Sequence, residues 1–360
     1  MKEALLYEKL SSGLLHCFLC AHHCKIADGK FGFCGVRQNV AGKLYTHAYG
    51  KVIAAHIDPV EKKPLYHFLP GSKSFSIATI GCNFHCGFCQ NWEISQASFR
   101  EGQELSPEVY APRPIGRPGA PPSAGTVPAL GGEELSPGQI VELALKNDCQ
   151  SISYTYTEPT IFFEYAYDTA KLAKEKGLYN VFVTNGFMTQ DALEVIKPYL
   201  DAANVDLKFF KDASYRKVCA GSLQPVLDSI KKMQELGIWV EVTTLVVPGE
   251  NDSDTELKGI AEFIASVDKN IPWHISRFHP DYKFTDHEAT PEAILQKALG
   301  LGKSAGLTYI YVGNVTGRGN DTHCPLCQKL LIKREYYSVL EYNIKQGACV
   351  FCNAVIPGKF

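Results

Sequence analysis

From residue 75 the chain alternates short, near-continuous apolar runs with stretches whose apolar residues recur at helical spacing. The apolar runs are 75–80, 151–156, 180–184, 204–208, 239–246, 273–278 and 308–312. Near-continuous apolar runs of this length are the pattern of strands buried on both faces, as in a parallel sheet. The segments between them carry helix punctuation. Ser136-Pro137-Gly138-Gln139 offers an N-cap, a proline in the first turn and a capping-box glutamine. Ser253-Asp254-Thr255-Glu256 repeats that logic, Thr290-Pro291-Glu292 opens another helix, and Gly177, Gly237 and Gly306 close three. Six β/α repeats followed by a seventh strand predict an α/β fold, a partial (β/α)6 barrel, over a doubly wound open sheet.

Residues 98–137 break the pattern. They hold 8 Pro and 6 Gly in 40 positions and too few large apolar side chains to build a core. We read them as a flexible surface insert, with a lid over the site as the sharper alternative. The expected organisation is therefore an amino-terminal module over 1–72, a barrel over 73–315 and a carboxyl-terminal module over 316–360.

The bulk properties remove several function classes. A 360-residue chain, 45% hydrophobic and with a formal net charge of −2, gives no reason to expect nucleic acid or an anionic membrane as partner. The start of the chain is not a signal peptide, and no 18-residue apolar segment follows, so a cytoplasmic protein is expected. Thirteen cysteines in a reducing compartment point to metals rather than disulfides, and eleven of them fall into three tight groups.

The middle group, Cys82, Cys86 and Cys89, sits directly after the first predicted barrel strand. A [4Fe–4S] cluster takes four thiolates, so three nearby ones leave an iron open to a substrate or cofactor. Polar residues follow the other strands too: Thr157-Glu158-Pro159, Thr184-Asn185-Gly186, Asp206-Leu207-Lys208, Arg277-Phe278-His279 and Gly313-Asn314. Parallel barrels do their chemistry at the carboxyl ends of their strands.

With these motifs, and with Asp58-Pro59-Val60-Glu61-Lys62-Lys63-Pro64-Leu65 and Pro272-Trp273-His274-Ile275-Ser276-Arg277-Phe278, the chain resembles radical S-adenosylmethionine (SAM) enzymes. Specifically, it resembles the radical SAM member of the AmmeMemoRadiSam system, a group similar to pyruvate formate-lyase activating enzymes. The resemblance implies that Cys82, Cys86 and Cys89 hold the cluster and that SAM chelates its fourth iron. It implies that Phe88 packs near the adenine, Glu158 binds the SAM amine, Asn185 approaches the ribose and Lys208 meets the carboxylate, with Thr184 also in the cofactor-binding set. Asp206 resembles a ligand for the monovalent cation of activating enzymes, but Val183 stands where those relatives have a second acidic ligand. Lys208 and Arg277 are the candidate catalytic residues, with His279 at the same mouth. Glu158 has a plain alternative as a helix-start carboxylate, and Tyr156 and Thr157 occupy positions that are glycine in many relatives.

Cys324, Cys327, Cys349 and Cys352 form two Cys-x2-Cys pairs around strand-like sequence, the pattern of a zinc ribbon. A rubredoxin-like iron is the less favoured reading. Cys17, Cys20, Cys24 and Cys34 suit zinc or an auxiliary iron–sulfur cluster equally. Cys149 and Cys219 read as small buried hydrophobes. The expected reaction is reductive SAM cleavage, then hydrogen abstraction from a small molecule or partner peptide. AmmeMemoRadiSam partner proteins and an electron donor such as flavodoxin or ferredoxin are the expected partners. A glycyl-radical activase and a non-catalytic metal-binding scaffold are the alternatives.

Overall fold

The computed structural model describes residues 1–100, 132–315 and 320–360. Its centre is one eight-stranded sheet: β1 (Ala54–Pro59), β2 (Lys73–Ala78), β3 (Ser151–Tyr154), β4 (Tyr179–Thr184), β5 (Ala202–Asp206), β6 (Trp239–Val246), β7 (Trp273–Arg277) and β8 (Ile310–Gly313). The strands lie side by side in sequence order. β2 to β8 are all parallel, with Ile152 between Phe75 and Asn180 and Ile275 between Thr244 and Val312. The outer helices are α1 (Pro137–Lys146), α2 (Phe163–Glu175), α3 (Gln190–Ile196), α4 (Leu223–Glu235), α5 (Asp254–Val267) and α6 (Glu292–Ser304). The expected partial barrel of six β/α units and a closing strand is what the chain builds. Ser136 and Gln139 form the anticipated capping box on α1.

Two features differ from the sequence expectation. The sheet has an edge strand within the first 72 residues: β1 runs antiparallel to β2, pairing Ala54 with Ala78 and Pro59 with Lys73. Several strands also stop one or two residues early, because the chain leaves the ladder to build loops at their carboxyl ends. Most of the insert, 101–131, lies outside the described residues, and the lid reading of that segment lies there with it.

The barrel interior is partly polar, and several of its polar side chains pair with one another. Ser74 and Ser153 hydroxyls meet at 2.5 Å, Thr243 donates to Asn204 at 2.9 Å, and Glu241 holds His274 at 2.7 Å. Residues after β1 stopper the amino-terminal mouth: the Tyr66 and His67 amides donate to Glu241 at 3.0 and 2.8 Å. The carboxyl-terminal module docks beneath this stopper. Arg334 donates to the Tyr66 carbonyl at 2.7 Å, and the His67 ring bonds the Pro357 carbonyl at 2.8 Å. The amino-terminal module docks at the other end, where Thr189 donates to the Phe18 carbonyl at 2.8 Å and Ala21 to that of Phe187 at 3.3 Å. The two cysteine-rich ends therefore have opposite relations to the carboxyl ends of the strands.

Candidate active site

The loop after β2 is held by backbone bonds to a distant segment. The His85 amide donates to the Cys219 carbonyl at 2.8 Å and the Gly87 amide to that of Val218 at 3.1 Å. Phe84 is buried between Phe187 and Tyr215, with ring centroids 5.0 and 6.0 Å away. On the outer side, the Lys283 amide donates to the Gly87 carbonyl at 3.0 Å and Phe284 lies against the loop. A Cβ on Gly87 would sit 2.4 Å from the Phe284 ring, so this contact requires glycine. The loop thus presents Cys82, Cys86 and Cys89 on a fixed turn, with the Phe84 amide 3.3 Å from the Cys82 sulfur and Ser95 Oγ 3.2 Å from that of Cys89.

Burial pushes the Cys82 thiol up and raises Cys89 to about 11. Two desolvated sulfurs of this kind become thiolates when a cation binds them. Cys86 is the exception. A hydrogen bond from Cys219 pulls its pKa down against burial, and Lys208 adds to the effect. Cys219 is fully buried beside this ligand candidate. Sequence offered no signal for it, since 133 positions separate the two residues.

The ends of β3 and β4 meet through Glu158, which is 2% exposed. One carboxylate oxygen accepts from the Thr160 amide (3.0 Å), Thr160 Oγ1 (2.6 Å) and Thr184 Oγ1 (2.7 Å); the other accepts from the Asn185 amide (2.8 Å). Burial raises its pKa, opposed by these donors. Asn185 in turn donates to Asn83 Oδ1 at 2.7 Å and lies 3.9 Å from the Cys82 sulfur. A continuous chain of polar contacts therefore runs from Glu158 to the cysteine loop. Glu158 also caps the short 3-10 turn Pro159–Phe162, so the helix-start role is present in the fold. Tyr156, just before it, has φ +63°, the left-handed conformation that glycine takes most readily. Its side chain is anchored there by a hydroxyl bond to Asp58 and by Lys63 Nζ, 4.5 Å from the ring centroid.

At the end of β5, Lys208 Nζ lies 2.8 Å from Asp206 and 5.8 Å from the Phe88 ring centroid. Burial works against its charge, but Asp206, Cys86 and Cys219 more than offset that and raise its pKa. Asp206 is thus ion-paired within the chain, and Val183 on β4 offers no ligand atom for a cation. Arg277 is turned toward the Thr290 carbonyl, which it reaches at 2.9 Å. Among its side chain's described bonds this is the one formed, and none joins it to the cysteine loop. His279 is half-buried beyond the end of β7. The segment after it covers the loop instead: Tyr282 stacks on Trp92 at 4.9 Å, and Phe284 meets Phe88 edge-on at 5.8 Å. These aromatics carried no motif and were not expected at the site.

The other cysteine groups are also gathered. Cys324, Cys327, Cys349 and Cys352 have all four sulfurs within 4.8 Å of one another, with pairs at 3.6 and 3.8 Å. Tetrahedral zinc–thiolate sites with bonds of ~2.3 Å need sulfurs roughly 3.8 Å apart, so this quartet fits a structural metal. Cys17, Cys20, Cys24 and Cys34 line one gap together with Leu19, Ile26, Arg37 and Thr160. No disulfide forms among the thirteen cysteines. No helix among the described residues is long and apolar enough to cross a membrane.

Comparison with known proteins places these observations. Residues 76–259 match the family model described as the Radical SAM superfamily. An uncharacterized protein of Methanocaldococcus jannaschii is 42% identical over 360 residues, covering 99% of each chain. The pyruvate formate-lyase-activating enzyme of Clostridium pasteurianum is 24% identical over 224 residues, 58% of this chain and 81% of that one. Among solved structures, a radical SAM methyltransferase from Sphaerobacter thermophilus covers 73% of this chain and 71% of its own, at 14% identity and a TM-score of 0.49.

Proposed function

The chain belongs to the radical SAM superfamily and is an enzyme, and on that premise we propose that it cleaves SAM reductively and abstracts hydrogen from a small molecule or partner peptide. The residues present fit the implied cofactors. Cys82, Cys86 and Cys89 offer three unpaired thiols on one turn, and no three donors there crowd within 4.8 Å as a zinc site would require. They would hold a [4Fe–4S] cluster, which when bound with SAM supplies the electron that yields methionine and a 5′-deoxyadenosyl radical.

The observation that carries the reading is the polar chain from Glu158 through Asn185 and Asn83 to the loop of Cys82. It fixes the ends of β3 and β4 against the cysteine turn, so a ligand bridging them meets a preset shape. Lys208 keeps its positive charge beside Cys86 and Asp206, which suits a carboxylate-bearing ligand and the negative charge of a thiolate-held cluster. Phe88, Phe284 and Tyr282 cover the turn with apolar surface and exclude water from a radical site. Arg277, fixed by Thr290, is the candidate substrate contact at the end of β7.

Anaerobic, reconstituted protein with dithionite and SAM should form 5′-deoxyadenosine, and Cys86→Ala should form none. Equal product from both refutes the reading. The likeness to a pyruvate formate-lyase-activating enzyme favours a second reading, activation of a glycyl-radical enzyme. A glycine-centred radical on an added partner protein would select it. Deuterium transferred from a small molecule or peptide into 5′-deoxyadenosine would select the first. AmmeMemoRadiSam partner proteins are the candidate source of such a peptide, and flavodoxin or ferredoxin of the electron.

A further inference from the structure

We propose that Asp58, with Lys62 and Lys63, is a positioning residue for the SAM site: through the Tyr156 hydroxyl it holds the turn that delivers Glu158. The run Asp58-Pro59-Val60-Glu61-Lys62-Lys63 has no role in the chemistry above. The inference rests on the SAM-cleavage reading for its ligand and on geometry alone for the turn.

The chain between β3 and Glu158 turns on a single residue. The Thr157 amide donates to the Thr155 carbonyl at 2.8 Å, and Tyr156 between them has φ +63°. A three-residue turn with that bond and a positive φ is the rare, strained form of γ-turn. Glycine enters left-handed backbone freely, whereas a residue with a Cβ is disfavoured there by roughly tenfold. The turn fixes what comes next. The Tyr156 carbonyl accepts from Asn91 Nδ2 at 2.9 Å, two residues past Cys89, and the Thr157 hydroxyl donates to the Thr79 carbonyl at 2.8 Å. The turn is therefore tied to the cysteine loop on one side and to the residue after β2 on the other, and Glu158 follows it directly. If Tyr156 relaxes to ordinary backbone, those ties and the aim of the Glu158 carboxylate are lost together.

Tyr156 is kept in this conformation by its side chain. Its hydroxyl donates to Asp58, its ring lies edge-on to His56 at 5.8 Å, and Lys63 Nζ sits 4.5 Å from the ring centroid. His56 and Asp58 are two apart on β1 and so share one face. Asp58 is 5% exposed, and a carboxylate buried to that degree needs partners. Lys63 Nζ meets it at 2.6 Å and Lys62 Nζ at 2.8 Å. The local fold aims both lysines. Val60–Lys62 forms a single 3-10 turn, closed by the Lys63 amide on the Val60 carbonyl at 2.9 Å, and Glu61 pins it by accepting from the Gly71 amide at 2.9 Å. Burial works against the Asp58 carboxylate, but Lys63, Lys62 and the Tyr156 hydroxyl more than offset it and hold its pKa well below the usual range. The tyrosine thus donates to an acceptor that stays charged. An ion pair at a sheet edge serves stability by itself; this one also carries a side chain whose own backbone is the strained turn.

The test is a double-mutant comparison on intact, anaerobically reconstituted protein. Without SAM, Asp58→Asn should speed hydrogen exchange of the Thr157 amide about tenfold, and equilibrium dialysis should show SAM affinity falling by a similar factor. Tyr156→Phe keeps the ring and the pairing of Asp58 with its lysines. It should move both readings the same way, so the outcome does not hang on the folding of Asp58→Asn. Tyr156→Gly supplies a residue that takes the turn without an anchor. In that background Asp58→Asn should change exchange and affinity by less than about twofold. Equal losses in both backgrounds would show that Asp58 acts through overall stability and overturn the inference. Unchanged Thr157 exchange in Asp58→Asn and Tyr156→Phe overturns it as well. Wild type that binds no SAM removes the proposed function, while the exchange rates still decide the role of Asp58.

Discussion

Replacing Glu158 by glutamine separates two roles for this residue, support of the fold and contact with SAM. Its carboxylate accepts four hydrogen bonds from this chain, three at one oxygen and one at the other. Glutamine can keep the three by placing its carbonyl oxygen there. Its amide nitrogen must then face the Asn185 amide, donor against donor. The variant loses one charge-assisted bond, worth about 2 kcal/mol, and strands two buried donors at about 1 kcal/mol or more each. Removing a buried charge returns part of this, since burial alone raises the pKa of Glu158. The net expectation is a loss of about 3 kcal/mol, or roughly a hundredfold in local opening. Hydrogen exchange of the Asn185 and Thr160 amides, measured on reconstituted protein without SAM, reads this directly. Exchange should accelerate toward a hundredfold, and SAM affinity should fall with it as the Asn185–Asn83 link loosens. Unchanged exchange together with weakened SAM binding would refute the reasoning and leave Glu158 as a ligand contact only.

Three further outcomes are expected. Cys219→Ala should leave the iron content intact and lower the midpoint potential of the cluster at Cys82, Cys86 and Cys89, because a thiol donor to Cys86 is lost; an EPR-monitored redox titration with no change in potential rejects it. Stripping the metal from Cys324, Cys327, Cys349 and Cys352 should unfold residues 320–360 while the barrel keeps its helicity. The module has just six buried core residues, and a structural metal supplies about 10 kcal/mol; proteolysis that does not start in this module after chelation would contradict that. Burial lowers His67 to about 4 against Glu241, so its ring is neutral in the fold. The unfolded chain, near 6.5, binds the proton first, and stability is lost as pH falls from about 6.5 to 4, by about 3 kcal/mol for this group. Urea midpoints of wild type and His67→Gln should converge over that window, and parallel curves would rule out the assignment.

What the sequence made legible follows from how local each signal is. β2 to β8 announce themselves as short β-rich runs bounded by helix caps and glycines, although Ser153 between Ile152 and Tyr154 and Glu241 between Val240 and Val242 are polar positions that the fold also buries. β1 escaped because it is an edge strand: Ala54–Pro59 alternates partly buried with exposed positions and ends in proline, which reads as loop. At the site, the three cysteines are visible because their geometry is set within eight residues. Cys219, Tyr282 and Phe284 are not, because a barrel brings them to the turn from strands and loops far along the chain. The Arg37–Glu164 pair beneath Cys17 is another such case: both side chains are 2% exposed and 127 positions apart. Metal identity has the same character. Cys-x2-Cys occurs in both outer modules, so spacing along the chain says only that sulfurs can converge. The carboxyl-terminal pairs close on one point because each lies in a tight turn, marked by Gln328 and Asn353 at φ +60°. The amino-terminal four come from a strand end, a loop and a distant turn at Cys34, and they converge around Arg37 and Thr160 without closing.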